Sequence, residues 1–343
     1  MDKRYLDQII RRALGAVSGT KRKVGEELWF ALEATLLDKK APKDWNPVVF
    51  FPIGLAQYAL LDHRKDLFKD LLEVSLIASH LSTLLPWNLT KGVYLFDPDL
   101  FEELIEAPLD RIPTDLLTRL PEAAPLLVFP RPWRGLVAAW AGLDEDRREK
   151  PYHLEFRALF MQEADPLLLP MPLDLKAPTF EECIAHTQAE SSVIKIEGVA
   201  SGFPMEAFEK LRGVLNLALY LCSEEPDLSA SPRRMPPLVQ HYRYRRAYPE
   251  PTPRRIEVGW RLGAALRKAH SEEARVSGAG GSGRSPRPHI RRGHWHLYWV
   301  GEGSRKDPSK AAPRLRWVQP ILVGKKWLEG ELPAVVRPVK PES

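Results

Sequence analysis

The chain has 343 residues, 44% of them hydrophobic and 28% charged, which is the balance of a folded protein with room for a sizeable core. Its net charge of +5 is unevenly spread: residues 1–230 carry 26 Lys and Arg against 36 Asp and Glu, a balance of −10, while residues 231–343 carry 24 against 9, a balance of +15. No apolar run approaches the roughly 18–20 residues of a membrane span, the N-terminal MDKRYLDQII has no apolar leader core, and Cys183 and Cys222 lack the CxxC spacing of a thiolate zinc site. These features predict a cytoplasmic protein with both thiols reduced and no membrane partner. They also predict a basic C-terminal third suited to a polyanion or an acidic surface, although two mutually complementary halves would give the same split.

Residues 3–18 place Leu6, Ile9, Ile10, Ala13, Leu14 and Val17 at helical spacing, and Gly19 is predicted to end that helix. A second helix is predicted over residues 25–37, with Leu28, Trp29, Leu32 and Leu36 on its apolar face. Residues 41–53 hold three prolines around a short apolar run, as in a strand or a buried loop. The next helical pattern runs from about residue 62 to 85, with Pro86 as its stop. His63 and His80 within it read as surface or satisfied core residues. Asp97 before Pro98 has the form of an N-cap, and Thr114 opens a short helix that Pro121 closes.

From about residue 125 to 175 short apolar and alternating runs predict an antiparallel meander. Glu155 and Arg157 share a strand face there, the pattern of a solvated ion pair. Thr179 and Glu182 have the spacing of a capping box. Cys183 and His186 are three residues apart on the helix that follows, which raises a nucleophile-and-base pairing, but no third partner orients it and the two read as structural. The run from Met205 to Cys222 reads as a core helix. Residues 224–256, rich in Pro, Arg and Tyr, read as an extended linker or arm. Within it residues 241–246 interleave cations and rings, which suits phosphates and stacked bases or equally an amphipathic edge strand. A short helix is predicted over 259–270, then a Gly/Ser-rich loop over 276–288 that lacks the GK[ST] of a phosphate-binding loop.

The chemistry concentrates in RPHIRRGHWHLYW, residues 287–299. Strand alternation would put His294, His296 and Tyr298 on one face and Trp295, Leu297 and Trp299 on the other. Residues 315–323 form a second strand-like run, so a hairpin is predicted. The candidate binding surface is Arg287, Arg291, Arg292, His294, His296, Tyr298 and Trp299 with Arg316 and Trp317. His289, His294 and His296 are the candidate catalytic groups of a metal-free ribonuclease, with arginines stabilising charge on phosphorus. The HxH spacing could also serve a transition metal if a third ligand came from elsewhere. None can be named, so no metal or cofactor is assigned. Binding outranks catalysis in this reading, and a DNA-binding protein is disfavoured by the lack of a helix-turn-helix pattern.

Taken together, PWNLTKGVYLFDPDLFEELIE, IPTDLLTRLPE, RPHIRRGHWHLYWVG and LRWVQPILV resemble a type V-A anti-CRISPR family with plasmid and chromosomal homologues, over about residues 20–325. The resemblance implies an inhibitor of effector-nuclease production that recognises the effector's nascent N-terminal peptide during translation and causes loss of its mRNA. The partners it implies are that peptide and, beside it, the ribosome or the mRNA. The predicted fold is α+β, with a helical N-terminal region, a mostly antiparallel sheet and a C-terminal β-hairpin. The organisation expected is a mainly helical region 1–120, a meander with helices 121–225 and a basic region 226–343. These form one compact domain or two joined near 225–255.

Overall fold

The structure is a computed structural model that describes residues 2–37, 46, 48–63, 68–147, 150–165, 167–193, 205–232, 250–278, 289–301 and 312–323. At its centre six strands form one sheet: β1 (Gly92–Phe96), β2 (Leu126–Trp133), β3 (Leu136–Asp146), β4 (His153–Gln162), β5 (Leu168–Asp174) and β6 (Arg254–Val258). Their spatial order is β5-β4-β3-β2-β1-β6. The run from β2 to β5 is the antiparallel meander the sequence predicts, whereas β1 lies parallel to both β2 and β6. The fold is α+β. Strands from all three stretches of the chain meet in this sheet.

Both faces of the sheet are covered, which is why its strands read as nearly continuous apolar runs. One face carries α1 (Lys3–Val24), α2 (Glu26–Leu37), α3 (Ile53–His63) and α4 (Leu71–Thr90). Leu6, Trp29, Leu60 and Leu84 from these helices join a core with Val93, Val128, Trp140 and Leu159 of the sheet. The other face carries α5 (Pro98–Ile105), a 3-10 helix (Thr114–Arg119), α6 (Phe180–Val193) and α7 (Met205–Cys222). There Leu100, Leu116, Phe180 and Leu215 pack with Tyr94, Leu127, Phe156 and Ile256. Among the described residues no helix is long and apolar enough to cross a membrane.

Several predicted boundaries move. Gly19 does not end α1, because Thr20 and Val24 continue the buried stripe, and the helix stops at Gly25, where φ is 92°. The helical pattern from 62 to 85 splits: α3 ends at His63 and α4 begins at Leu71, capped by Asp70. Pro86 lies inside α4. The turn beyond it persists because Trp87 and Leu89 are fully buried and Trp87 Nε1 donates to the Gly92 carbonyl at 2.9 Å. Lys91 ends the helix in the left-handed region at φ 45°. Residues 48–52 form an irregular segment that buries Val49 and Phe51, as a buried loop would.

The predicted linker over 224–256 is corrected at its end, since Arg254–Val258 is the edge strand β6 beside β1. Its basic and aromatic run, residues 241–246, lies outside the described residues. The following helix, α8 (Trp260–Gly278), is longer than predicted and takes in the first residues of the Gly/Ser-rich stretch, of which 279–288 lie outside the described residues.

Candidate functional site

The C-terminal strands form two antiparallel pairs. β7 (His289–Arg291) pairs with β10 (Ile321–Val323), and β8 (His294–Val300) pairs with β9 (Ala312–Val318). In the second pair Trp295 stands opposite Trp317, His296 opposite Arg316 and Tyr298 opposite Arg314. The predicted hairpin is therefore present, and its alternation holds as far as Leu297, while Trp299, expected on the inner face, is exposed. Trp295, Leu297, Leu315 and Trp317 turn inward and join the core on the α7 side of the sheet. The two indoles meet edge to face, with centroids 4.8 Å apart.

Hydrogen bonds on both strands fix this hairpin to the body. Trp295 Nε1 donates to Asn216 Oδ1 at 2.8 Å, and Asn216 Nδ2 donates to the Ala107 carbonyl at 2.9 Å, so a fully buried amide on α7 joins two elements. On the β9 side Arg119 Nη2 donates to the Pro313 carbonyl at 2.6 Å, and the Glu224 N–H donates to the Leu315 carbonyl at 2.8 Å. At the entry to β8 only glycine fits: a Cβ at Gly293 would lie 2.4 Å from Trp317 Cζ2.

The outer face holds His294, His296, Tyr298, Arg314 and Arg316. The rings of His296 and Tyr298 stack at 5.9 Å with an interplanar angle of 23°. Arg314 reaches Glu224 at 3.4 Å and Arg316 reaches Glu225 at 3.5 Å, with the two arginine side chains 43% and 54% exposed. Such pairs are worth little against solvent, so both guanidinium groups remain available to an anionic or carbonyl-rich partner. The face is a polar, cationic and aromatic platform on a firmly packed support.

Of the predicted surface residues, Arg292, His296, Trp299 and Arg316 are exposed and His294 and Tyr298 half-buried, while Trp317 packs beneath the platform. His289 and Arg291 belong to β7, which pairs with β10 in a two-stranded sheet separate from that of β8 and β9, and Arg287 lies outside the described residues. Among the described residues, the group of three that could hold a metal includes neither His294 nor His296. The HxH reading therefore gains no third ligand there.

Of two other sequence readings, the structural one for Cys183 and His186 is supported and the one for Glu155 and Arg157 changes. Cys183 is buried, donates its thiol to the Ala177 carbonyl at 3.4 Å, and has its pKa pushed up to about 11 by burial, while His186 is exposed. A buried neutral thiol is a poor nucleophile, so the pair makes no catalytic unit. Glu155 and Arg157 are not a solvated pair either. The Arg157 guanidinium contacts Glu155 Oε1 at 2.6 Å and Asp144 Oδ2 at 2.9 Å beneath the helical layer, where Asp144 also accepts the Ile53 N–H at 3.1 Å. Burial raises the Asp144 pKa despite the adjacent arginine. This cluster ties α3 to the sheet. Sequence alone missed it because strand alternation cannot say which face a helix will cover.

The sequence model of the AcrVA2-like family, described as the Anti-CRISPR type V subtype A2 family, matches residues 94–325. That span runs from β1 past β10 and exceeds half of the chain. The chain belongs to the type V subtype A2 anti-CRISPR family. The crystal structure of AcrVA2 is similar in fold, with a TM-score of 0.62 and 20% identity over 90% of this chain and 98% of that chain. This coverage exceeds the family span, so part of the N-terminal helical layer also has a counterpart in AcrVA2. No curated protein matches the chain. For this member of the anti-CRISPR family, the hairpin platform lies wholly inside the matched span.

Proposed function

We propose that this chain limits production of a type V CRISPR effector nuclease by recognising the effector's nascent N-terminal peptide during translation, with loss of the mRNA that encodes it. The observation that carries the reading is membership of the type V subtype A2 anti-CRISPR family over residues 94–325. Two features support it. The balance of +15 over residues 231–343 suits a partner embedded in ribosomal phosphate. The outer face of β8 and β9 offers stacked rings, imidazoles and guanidinium groups to the carbonyls and side chains of an extended peptide.

The test is a reporter led by the effector's N-terminal codons, co-expressed with this protein, with reporter mRNA as the readout. A companion reporter carries compensating frameshifts that change the peptide and hardly alter the RNA. The expected result is mRNA loss from the in-frame reporter alone. Equal loss from both would replace peptide reading with direct RNA recognition, as in the ribonuclease alternative. Stable mRNA in both would overturn the proposal.

A further inference from the structure

At one end of the sheet, three neighbouring strands bring two carboxylates and one imidazole together. Asp146 closes β3 and stands directly opposite His153, the first residue of β4, while Asp174 closes β5. A ligand atom from each lies within 4.8 Å of the other two. His153 Nε2 is 3.4 Å from Asp146 Oδ2 and 3.5 Å from Asp174 Oδ1. The side chains are 16%, 6% and 13% exposed for His153, Asp146 and Asp174, so this is no solvated acidic patch.

The protonation of the ring is constrained. His153 Nδ1 lies 3.1 Å from the Pro151 carbonyl, which can only accept, so Nδ1 carries a hydrogen. In the neutral ring Nε2 then presents a lone pair to two carboxylates. That nitrogen is buried and makes no hydrogen bond. Two ligands each about 2.0–2.2 Å from a tetrahedral ion stand roughly 3.4 Å apart, which matches the spacing of Nε2 from each carboxylate oxygen.

The surroundings complete the arrangement of a metal site. The Nδ1–H to carbonyl bond is the usual orienting contact behind a metal-bound histidine. The Lys176 backbone N–H orients Asp174 by donating to Oδ1 at 3.1 Å, while the Lys176 ammonium, 2.8 Å from Oδ2, occupies the other oxygen and competes with a bound cation. Oδ1 keeps a second lone pair for an ion.

We propose that Asp146, His153 and Asp174 form a tetrahedral site for a divalent transition ion of the zinc class, with water in the fourth position. The ion staples the ends of β3, β4 and β5. The site is separate from the hairpin platform, and its test does not depend on the function proposed above.

The experiment uses the full chain, stripped with a chelator and titrated with Co2+. Tetrahedral d–d absorption bands that Zn2+ abolishes are expected, together with a metal-dependent rise in Tm. In His153→Ala and Asp174→Asn the bands and the Tm rise are lost, while the melting of the metal-free protein shows that each variant is folded. His294→Ala/His296→Ala keeps both signals. Lys176→Ala binds more tightly than wild type, because the ammonium no longer competes for Asp174. Absence of tetrahedral bands in the wild-type protein would overturn the site, and so would bands that survive His153→Ala or vanish with the hairpin histidines.

Discussion

His80 shows what burial does to a single titratable group. It sits on α4, 8% exposed, with Nε2 3.0 Å from the Leu168 carbonyl at the end of the sheet. Burial lowers its pKa below the ordinary 6.5, and the bond to the carbonyl opposes the shift without cancelling it. The unfolded chain therefore takes up this proton at a higher pH than the folded one. Stability from the neutral ring is complete above about pH 6.5 and is lost as pH falls from there towards the folded-state pKa. Between about pH 7 and pH 5 the Tm of the wild-type protein should drop by on the order of a few °C more than that of His80→Gln. Thermal unfolding across that range checks it, and parallel curves would show that His80 is not the linked group. The sequence reading of His80 left surface and satisfied core open, and the structure places it in the core, on a helix buried on nearly all sides. For Glu155 and Arg157 the sequence reading fails, since both faces of the sheet are buried and alternation no longer separates core from solvent.

Among elements, α8 is held by a residue far from it in sequence. Its first turn follows Gly259, which has φ 77° and no side chain to cap the helix. Asp227 supplies the cap across the turn: Oδ2 accepts the N–H groups of Arg261 at 2.8 Å and Leu262 at 3.1 Å, Oδ1 accepts Arg261 Nε at 2.6 Å, and its carbonyl accepts the Gly259 N–H at 2.7 Å. The carboxylate also faces the positive end of the helix dipole. Asp227→Ala should cost about 1–2 kcal/mol in urea unfolding, with Asp227→Asn recovering part of it. Faster amide exchange in the first turn of α8, with α7 unaffected, is the local signature, and unchanged exchange there would refute the cap. Caps made within a helix's own neighbourhood are legible beforehand, as Asp97 and the Thr179–Glu182 box show. Asp227 is not, because nothing local marks a cap that crosses more than thirty residues. Gly19 and Pro86 mislead for a related reason: burial of neighbouring side chains outweighs the local preference of one residue.

For the whole molecule, a double-sided core supports a hairpin whose two faces do different work. The inward tryptophans and Asn216 set its position, so the outward residues can be changed without disturbing the support. The sequence shows this platform as a pattern of residue types, while its attachment through Asn216 and Arg119 depends on contacts between distant segments. That separation makes the function testable at the level of one surface. His296→Ala/Tyr298→Ala/Arg316→Ala removes the stacked pair and the cross-strand guanidinium from the solvent side of β8 and β9. Substitutions at exposed His296 and Arg316 usually shift stability by less than about 0.5 kcal/mol each, and loss of the half-buried Tyr298 ring adds a modest cost, so the variant should remain folded with a slightly lowered Tm. In the in-frame reporter assay it should leave most of the mRNA intact. Trp295→Ala is the contrasting variant. It breaks the bond to Asn216 and opens a cavity, so it should lower stability by about 3–5 kcal/mol and reduce activity through loss of the support. If the triple variant folds and still depletes the reporter as wild type does, the platform is not the recognition surface, and recognition must be sought elsewhere in the 94–325 span.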